Sequence, residues 1–359
     1  MAFYVGLMSG TSLDGVDAAL VSFCGDLCEV VRTIYLPYPD ELRQRLLDLH
    51  EICDNELELS QVLGCQLSQL YAEAVHALLQ NFDEPVVAIG CHGQTIRHRP
   101  DLGFTLQLNN PSLLAELTGV AIVADFRSRD IAAGGQGAPL VPAFHKAVFW
   151  HSTRHRNIVN IGGISNLTNL PPDGKVTGFD CGPGNLLMDA WCQRHTGQPY
   201  DKNGAWAASG NLIQHLLEKC LSNPFFHLPP PKSTGRETFN LPWLETLLDP
   251  SYRPQDVQYT LGELTARGIT DAIQYYYPGV KEIYLCGGGA HNRFLHARIH
   301  NHLPAIHLAE TDALGIAADW VEAAAFAWLA KQTVQGMPGN LPAVTGAKGS
   351  RILGAIYAS

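Results

Sequence analysis

Apolar positions along the chain form two similar series of strand-like segments, one in each half. Strands are predicted at 4–21 (two strands around a turn), 29–37, 85–91, 104–108, 120–126, 156–163, 164–170, 176–180, 282–286 and 351–357. Apolar residues at helical spacing predict helices at 40–53, 59–82, 111–118, 139–150, 186–195, 211–221, 256–277, 291–302 and 313–331. Short apolar runs bounded by turn residues are typical of buried strands, and a period of 3.6 residues is typical of helices.

Both series begin with the same pattern of strand, glycine turn, strand and strand, followed by alternating strands and helices. We therefore predict a duplicated α/β unit in which mixed sheets are covered by helices. The 359 residues exceed one ordinary core, so two domains are expected. We expect the glycine turns of the two domains to face each other across a cleft and to hold a polyphosphate from both sides.

The composition points to an enzyme that acts on small molecules. Apolar residues make up 46% of the chain and charged residues 16%, which is typical of a compact globular protein. The net charge of −10 argues against nucleic acid and anionic membranes as partners. The chain opens without the pattern of a signal peptide and has no run of 18 apolar residues, so a cytoplasmic protein is expected. The nine cysteines form no C-x-x-C pair, which predicts reduced thiols and no zinc site.

The turn between the first two predicted strands carries the first candidate chemistry. It contains Gly10, Thr11, Ser12, Leu13, Asp14 and Gly15, and Val16 and Asp17 follow. An Asp-Gly pair between apolar runs predicts a hairpin, because such a turn needs positive φ angles. Its N–H groups, hydroxyls and carboxylates could bind phosphate oxygens and a metal ion, with Asp14 and Asp17 as metal ligands. The alternative is that the pair only closes a surface hairpin.

Two further glycine-rich turns extend this interpretation. Gly162-Gly-Ile-Ser-Asn166 lies between two predicted strands, and Gly287-Gly-Gly-Ala-His-Asn292 lies between a strand and a helix. The latter lacks the third glycine of a dinucleotide-binding fingerprint, because Asn292 occupies that position. Glycines that let an adenosine approach the main chain fit it better, and a tight strand–helix turn is the alternative. No G-x-x-x-x-G-K-[ST] motif occurs, which excludes a P-loop NTPase.

Charged residues near predicted strand ends are candidates for catalysis and substrate binding. Asp180 ends a strand, where ligands gather in α/β folds, although it could instead cap the following helix. The neighbouring Cys181 has no visible base and is interpreted as a small buried residue. Arg127 and Arg129 could bind a carboxylate, with surface arginines as the alternative. Glu322 is unusual within an alanine-rich helix and could reach the cleft.

Five motifs resemble the anhydro-N-acetylmuramic acid kinase family. They are Gly6-Leu-Met-Ser-Gly-Thr-Ser-Leu-Asp-Gly-Val-Asp17, Cys91-His-Gly-Gln-Thr95, Gly134-Gly-Gln-Gly-Ala-Pro-Leu-Val-Pro-Ala-Phe-His145, Asn160-Ile-Gly-Gly-Ile-Ser-Asn166 and Phe179-Asp-Cys-Gly-Pro-Gly-Asn185. The resemblance spans nearly the whole chain. It implies the fold of actin, hexokinase and the heat-shock ATPases: two actin-like, ribonuclease H-like domains with a nucleotide cleft between them. The implied domains are 1–140 plus 332–359 and 141–331, with connecting helices near 139–150 and 313–331.

The resemblance also implies roles for the candidate residues. Two phosphate loops and an adenosine loop would bind ATP through Gly10, Thr11, Ser12, Leu13, Asp14, Gly15, Val16, Asp17, Asn160, Gly162, Gly163, Ser165, Asn166, Gly287, Gly288 and Gly289. Mg²⁺ would be held by Asp14 or Asp17, because Met8 stands where many members of the wider superfamily have a metal-binding aspartate. The sugar would contact His92, Thr95, Arg127, Arg129 and Glu322, with Asp180 as the catalytic base.

The activity that the resemblance implies is a kinase reaction coupled to hydrolysis. Water attacks C1 of 1,6-anhydro-N-acetylmuramic acid, the C1–O6 bond breaks, and O6 takes the γ-phosphoryl group of ATP. The products are N-acetylmuramate 6-phosphate and ADP, which serves cell-wall recycling. One carboxylate base would suffice, because the charge of the leaving oxygen passes to phosphorus. The alternatives are an ordinary sugar or acetate kinase on the same fold and a nucleotide-gated actin-like binding protein. A homodimer is one option for the oligomeric state.

Overall fold

The computed structural model describes residues 1–10, 13–25, 27–50 and 54–359. Its strands are β1 (Ala2–Met8), β2 (Gly15–Cys24), β3 (Leu27–Pro37), β4 (Val86–Cys91), β5 (Gln94–Arg99), β6 (Phe104–Leu108), β7 (Ile122–Ala124), β8 (Arg156–Ile161), β9 (Ile164–Leu170), β10 (Thr177–Pro183), β11 (Glu282–Cys286), β12 (His307–Glu310) and β13 (Ala355–Tyr357). Its helices are α1 (Asp40–Asp48), α2 (Glu56–Leu79), α3 (Pro111–Thr118), α4 (Ser128–Ala132), α5 (Val141–Phe149), α6 (Leu186–Thr196), α7 (Ala205–Ala208), α8 (Gln214–Leu221), α9 (Pro224–His227), α10 (Leu241–Glu245), α11 (Pro254–Tyr276), α12 (Arg293–His302), α13 (Val321–Val334) and α14 (Pro342–Thr345).

Contacts group the chain into two compact units. The first unit contains Met1–Val148 together with Trp320–Ser359, and the second contains Phe149–Asp319. The boundaries expected from the sequence, after residues 140 and 331, differ from these. The larger difference arises because α13 packs on β1, β2 and β4 and so belongs to the first unit.

The two large sheets have the same strand plan. The sheet of the first unit has the order β13-β7-β4-β1-β2-β3, and the sheet of the second has the order β10-β9-β8-β11-β12. In the first sheet, β1 lies antiparallel to β2 and parallel to β4. In the second sheet, β8 lies antiparallel to β9 and parallel to β11. This shared plan confirms the predicted duplication of an α/β unit with mixed sheets.

Burial along the elements of the first unit follows the apolar pattern of the sequence. All five residues of Tyr4–Met8 in the central strand β1 are buried, whereas the edge strand β3 alternates exposed and half-buried positions. Leu63, Leu67 and Leu78 of the 24-residue helix α2 are buried in the core of this unit, as their helical spacing predicts. Across the described ranges, no helix combines the length and apolar character that a membrane crossing requires.

Two glycines let α13 approach the first sheet closely. A Cβ at Gly6 of β1 would lie 1.8 Å from the carbonyl oxygen of Ala323, and one at Gly90 of β4 would lie 2.0 Å from that of Phe326. Only a residue without a Cβ leaves room for the helix main chain at these positions. The small side chains of the alanine-rich helix α13 and the missing Cβ atoms of Gly6 and Gly90 together allow this close approach.

The secondary structure differs from the prediction in three places. The helix predicted at 313–331 begins only at Val321, because Gly315 with φ +93° and short 3₁₀ turns occupy the preceding residues. The polar segment 92–98 was predicted as neither strand nor helix, but Gln94–Arg99 forms β5 and pairs with β6. The short strand β12 was not predicted at all. Neither β5 nor β12 has the apolar pattern by which a strand is detected in a sequence.

Candidate active site

The first glycine turn contains a buried leucine in a left-handed conformation. Leu13 has φ +57° and is fully buried, and its N–H donates to the carbonyl of Gly10 (3.4 Å). Gly15 begins β2, where a Cβ would lie 2.5 Å from a main-chain oxygen of β3. The hairpin is confirmed, but the positive φ angle lies at Leu13 and not at the glycine of the Asp-Gly pair. Thr11 and Ser12 lie outside the described residues.

A buried network of hydroxyl and amide groups holds this turn. The Ser9 hydroxyl bonds with the Tyr71 hydroxyl (2.8 Å), and the side-chain amide of Gln94 donates to the carbonyl of Gly10 (3.0 Å). The Tyr38 hydroxyl joins the two sides, since it donates to Gln94 Oε1 (3.3 Å) and lies 3.3 Å from the Tyr71 hydroxyl. Burial raises the pKa of both Tyr38 and Tyr71, so the phenols stay protonated. Sequence analysis missed this network because its members are far apart along the chain.

Two carboxylates of the first hairpin are candidates for holding a metal ion. Asp14 is exposed and Asp17 is half-buried. Burial and, after it, the charges of Asp14 and Asp17 raise the pKa of Tyr35 to about 12, which puts both carboxylates near one phenol. Within the described ranges, no group of three or more His, Cys, Asp and Glu residues could hold a metal ion. Two carboxylates nevertheless fit Mg²⁺ bound with a nucleotide, because phosphates and waters then supply the other ligands.

His92 and Arg127 form one hydrogen-bonded unit. Arg127 Nη2 and Nε donate to His92 Nε2 (2.9 and 3.2 Å), and Arg127 Nη1 donates to the carbonyl of Gly137 (2.7 Å). Burial and then the neighbouring guanidinium hold the pKa of His92 well below its usual range, so the ring is neutral and accepts these bonds. Its Nδ1 atom then carries the proton and lies buried next to the main chain of Ser9 and Gly93.

The other predicted sugar-binding residues also lie in the first unit. Arg129 lies on α4 with an exposed side chain, and no hydrogen bond or ion pair of its guanidinium occurs in the described part of the chain. The Thr95 hydroxyl on β5 accepts from the side chain of Gln107 (3.2 Å). Glu322 is half-buried in the first turn of α13. Of the two arginines, Arg129 is thus the one whose charge faces solvent.

A buried carboxylate that sequence analysis missed fixes the glycine turn after α4. Asp130 Oδ2 accepts from the N–H of Gly137 (2.8 Å). Its Oδ1 atom accepts from the Asn340 side chain (2.6 Å) and from the Thr345 hydroxyl (2.7 Å). Asp130 therefore ties the turn that contacts Arg127 to the C-terminal segment of the same unit.

The second glycine turn, in the second unit, is bonded to the loop that precedes α6. The N–H groups of Gly184 and Asn185 donate to the carbonyls of Gly163 and Gly162 (both 2.8 Å). A Cβ at Gly184 would lie 2.2 Å from the Gly162 oxygen, so only glycine permits this approach. The Ser165 hydroxyl is fully buried and has no partner among the described residues. The carbonyls of Gly162 and Gly163 thus join this tight turn to the loop before α6, next to the buried hydroxyl of Ser165.

The predicted adenosine loop reaches the same region of the second unit. Gly287 has φ +77°, and a Cβ there would lie 2.2 Å from the side-chain oxygen of Asn160. Gly289 packs against Ile161, the residue that follows Asn160, whereas a Cβ at Gly288 would meet nothing within 4 Å. Asn292 caps α12, because its side chain accepts from two N–H groups of the first turn. The residue that replaces the third glycine of the fingerprint is therefore a helix cap.

Asp180 lies in β10 beside a β-bulge and does not cap a helix. It pairs with Asn166 of β9, which pairs in turn with Asn160 of β8. The register of β10 shifts between Asp180 and Gly182, and bulges of this kind redirect side chains next to active sites. The N-cap of α6 is Asn185, which excludes the alternative role of Asp180 as a helix cap.

An irregular segment that sequence analysis did not single out holds Asp180 in place. The Asp180 N–H donates to the carbonyl of Lys232 (3.1 Å), and the N–H of Thr234 donates to Asp180 Oδ2 (3.0 Å). The adjacent Cys181 is buried, and burial followed by the charge of Asp180 raises the pKa of its thiol. The thiol stays protonated, which supports its interpretation as a small buried residue and not as a nucleophile.

A family model and two relatives that match nearly the whole chain share one description. A family model described as anhydro-N-acetylmuramic acid kinase matches residues 2–359. The chain is 59% identical over 360 residues to the anhydro-N-acetylmuramic acid kinase of Nitrosomonas europaea, and 58% identical over 361 residues to that of Nitrosospira multiformis. Each match covers 99% of both chains. Among solved structures, a ROK family glucokinase from Streptomyces griseus matches 92% of this chain and 100% of its own, with a TM-score of 0.44 and 11% identity.

Proposed function

This chain belongs to the anhydro-N-acetylmuramic acid kinase family, and on that premise we propose that it opens the 1,6-anhydro ring of 1,6-anhydro-N-acetylmuramic acid and phosphorylates O6 with ATP. The products are N-acetylmuramate 6-phosphate and ADP. The reaction would recover an amino sugar from the cell wall. Because ATP is the phosphoryl donor, we place the enzyme in the cytoplasm.

The chemistry needs one base and a path for the charge of the leaving oxygen. Water attacks C1 and gives a proton to the base, while the electrons of the C1–O6 bond move to O6. O6 forms a bond to the γ-phosphorus, and the bond to the β–γ bridging oxygen breaks to release ADP. An ordinary glycosidase needs a second carboxyl group to protonate its leaving oxygen, whereas here phosphorus takes that place.

Asp180 is the base that we propose. The observation that carries this assignment is its fixed position at the bulge of β10, with Oδ2 bonded to the N–H of Thr234 and no helix to cap. A carboxylate held by a main-chain donor has a defined orientation, which a general base needs in order to reach one particular proton.

For the phosphates we propose the glycine turns of the two units. In the first unit these are the residues around Gly10 and Asp14, and in the second those around Gly162 and Ser165. Asp14 or Asp17 would hold Mg²⁺, which when bound neutralises charge on the phosphate oxygens. The fully buried hydroxyl of Ser165, which has no protein partner among the described residues, supports a phosphate contact.

For the lactyl carboxylate of the sugar we propose Arg129. Arg127 already donates three of its five N–H groups to His92 and to the carbonyl of Gly137, and turning the guanidinium toward another acceptor would cost these bonds. The exposed guanidinium of Arg129 has no such cost. Charged hydrogen bonds to carboxylates are among the stronger polar contacts in proteins, so one arginine is sufficient for this group.

The test is the Asp180→Asn enzyme, which keeps the shape of the side chain but cannot accept the proton. We expect kcat to fall by about 10²–10⁴-fold with small changes in KM for ATP and sugar. Asp173→Asn, at an exposed turn of the same unit, is the matched control and should behave as wild type. ADP release and sugar phosphate are measured together. Near-normal turnover of folded Asp180→Asn refutes the base assignment.

The choice of substrate separates this activity from its alternatives. The wild-type enzyme is given either the anhydro sugar or N-acetylmuramic acid, which has a free 6-hydroxyl. We expect phosphorylation of the anhydro sugar and little of the other. Equal rates on both would indicate an ordinary sugar kinase, and nucleotide binding without any phosphorylated product would indicate a nucleotide-gated binding protein.

A further inference from the structure

The segment from Lys232 to Thr234 forms a second support for Asp180, on the side away from β9. It bonds to both the main chain and the side chain of Asp180. The Lys232 carbonyl accepts from the Asp180 N–H (3.1 Å), and the Thr234 N–H donates to Asp180 Oδ2 (3.0 Å). The segment has no regular secondary structure of its own, so something else must hold it in position.

Lys232 supplies that anchor. Its ammonium group donates to the carbonyls of Phe225 (3.1 Å) and Phe226 (3.4 Å) in α9, and it lies 4.6 Å from the centre of the Phe225 ring. Burial lowers the pKa of Lys232, and the charge of the nearby Asp180 opposes that effect. A cation bonded to two carbonyls and an aromatic face fixes the main chain that carries Thr234.

The side chain of Thr234 is then left with an unused hydrogen-bonding group beside the carboxylate. Its Oγ1 atom is buried and has no partner among the described residues. A buried hydroxyl without a partner costs free energy, so its persistence at a site calls for a partner that arrives from outside the chain. Covalent geometry puts Oγ1 about 3 Å from its own nitrogen, and that nitrogen lies 3.0 Å from Oδ2. The two oxygens are therefore at most about 6 Å apart, and the span of about 4.5 Å that one water bridges with two hydrogen bonds lies within this limit.

We propose that Thr234 is a positioning residue for the attacking water. Its hydroxyl accepts or donates one hydrogen bond to that water, while the carboxylate of Asp180 accepts the proton that the water loses. The water is thus held at two points and directed at C1 of the sugar. This inference rests on the proposed function, because it needs Asp180 as the base.

Two substitutions of Thr234 test the role of its hydroxyl. Thr234→Val keeps the branched shape and the main-chain N–H but removes the hydroxyl, and we expect kcat to fall roughly 10- to 100-fold, the effect of losing one hydrogen bond in the transition state. KM for ATP should change less than about 2-fold. Thr234→Ser restores the hydroxyl and should recover kcat to within about 3-fold of wild type. Thr238→Val, at a threonine that follows this segment in the chain, is the control and should have wild-type kcat and KM.

The outcomes separate this inference from the function on which it rests. If Asp180→Asn is inactive and Thr234→Val turns over normally, the water-positioning role is wrong and the base assignment stands. If Asp180→Asn is active, both are wrong. If Thr234→Ser is as slow as Thr234→Val, shape matters and the hydroxyl does not, which also overturns the inference. Should Thr234→Val fail to fold, Thr234→Ala replaces it, with the same expected loss and the same rescue by serine.

Discussion

Replacing Gly90 with alanine is expected to destabilise the first unit. The new Cβ would lie 2.0 Å from the carbonyl oxygen of Phe326 and 3.1 Å from the Cβ of Ala330, both in α13. Non-bonded heavy atoms are most stable at separations of roughly 3.5 Å, so the helix must move away from β4 by more than about 1 Å. The clashing atom belongs to the main chain and cannot rotate out of the way.

The size of the effect follows from two opposing contributions. Overpacking of a core costs about 1–3 kcal/mol, and the main-chain clash favours the upper end of that range. Alanine also restricts the unfolded chain, which offsets about 0.4–1 kcal/mol. The net loss is about 2 kcal/mol in the free energy of unfolding. For a unit of this size we expect the midpoint of thermal unfolding to fall by about 4–8 °C.

Thermal unfolding followed by calorimetry or circular dichroism measures this shift. Gly288→Ala is the matched control, because a Cβ at Gly288 meets nothing within 4 Å and the residue has an ordinary φ angle. The midpoint of the control should stay the same or rise slightly. Equal midpoints for Gly90→Ala and Gly288→Ala would show that the packing of α13 does not require a residue without a Cβ at position 90.

Three further predictions concern binding and pH. Arg129→Leu should raise KM for the anhydro sugar about 10-fold or more and leave KM for ATP unchanged, because a charge-assisted hydrogen bond contributes about 1.5–3 kcal/mol. Unchanged sugar kinetics would show that another group of the protein binds the lactyl carboxylate. Tyr71→Phe removes a hydroxyl from the network below the first glycine turn. It should lower the free energy of urea unfolding by about 1–3 kcal/mol and raise KM for ATP, and a variant with wild-type values would contradict that role. Burial and then Arg127 lower the pKa of His98 to about 4. Between pH 6.5 and 4 the unfolded chain therefore binds a proton at this histidine that the folded chain does not. Lowering the pH through this range should reduce the free energy of unfolding by up to about 1.4 kcal/mol per pH unit through His98. Urea unfolding at pH 7, 5.5 and 4.5 should show a smaller fall for His98→Gln, and equal falls would refute the assignment.

Features that depend on neighbouring residues could be predicted from the sequence. The first hairpin, the strands of the second glycine turn and the buried stripe of α2 each follow from a local apolar period, and each is present in the structure. The duplication was visible for the same reason, since the same order of strands and glycine turns occurs twice. Asp180 was placed correctly on a strand but wrongly at its end, because β10 continues to Pro183 beyond the bulge that follows Asp180.

Features that depend on contacts between distant residues could not be predicted in this way. Nothing near Asp180 in the sequence indicates that Thr234 donates to its carboxylate. Likewise, no local pattern shows that Tyr71 of α2 bonds with Ser9, or that Asp130 accepts from Asn340. Such bonds carry no periodicity, since each joins two elements that only the folded chain brings together. Even the positive φ of Leu13 belongs to this group, because its burial in the core and not its residue type selects the conformation.

The assignment of α13 to the first unit has a consequence for synthesis on the ribosome. Strands β1 and β4 are made early, but the helix that packs on them follows the whole second unit, Phe149–Asp319. At translation rates of about 5–20 residues per second, the sheet surface around Gly90 waits roughly 12–50 s for its covering helix, and that around Gly6 waits longer. During that interval the nascent chain exposes an apolar sheet face that aggregation or a chaperone can reach. The first unit to be translated is therefore the last to complete its fold.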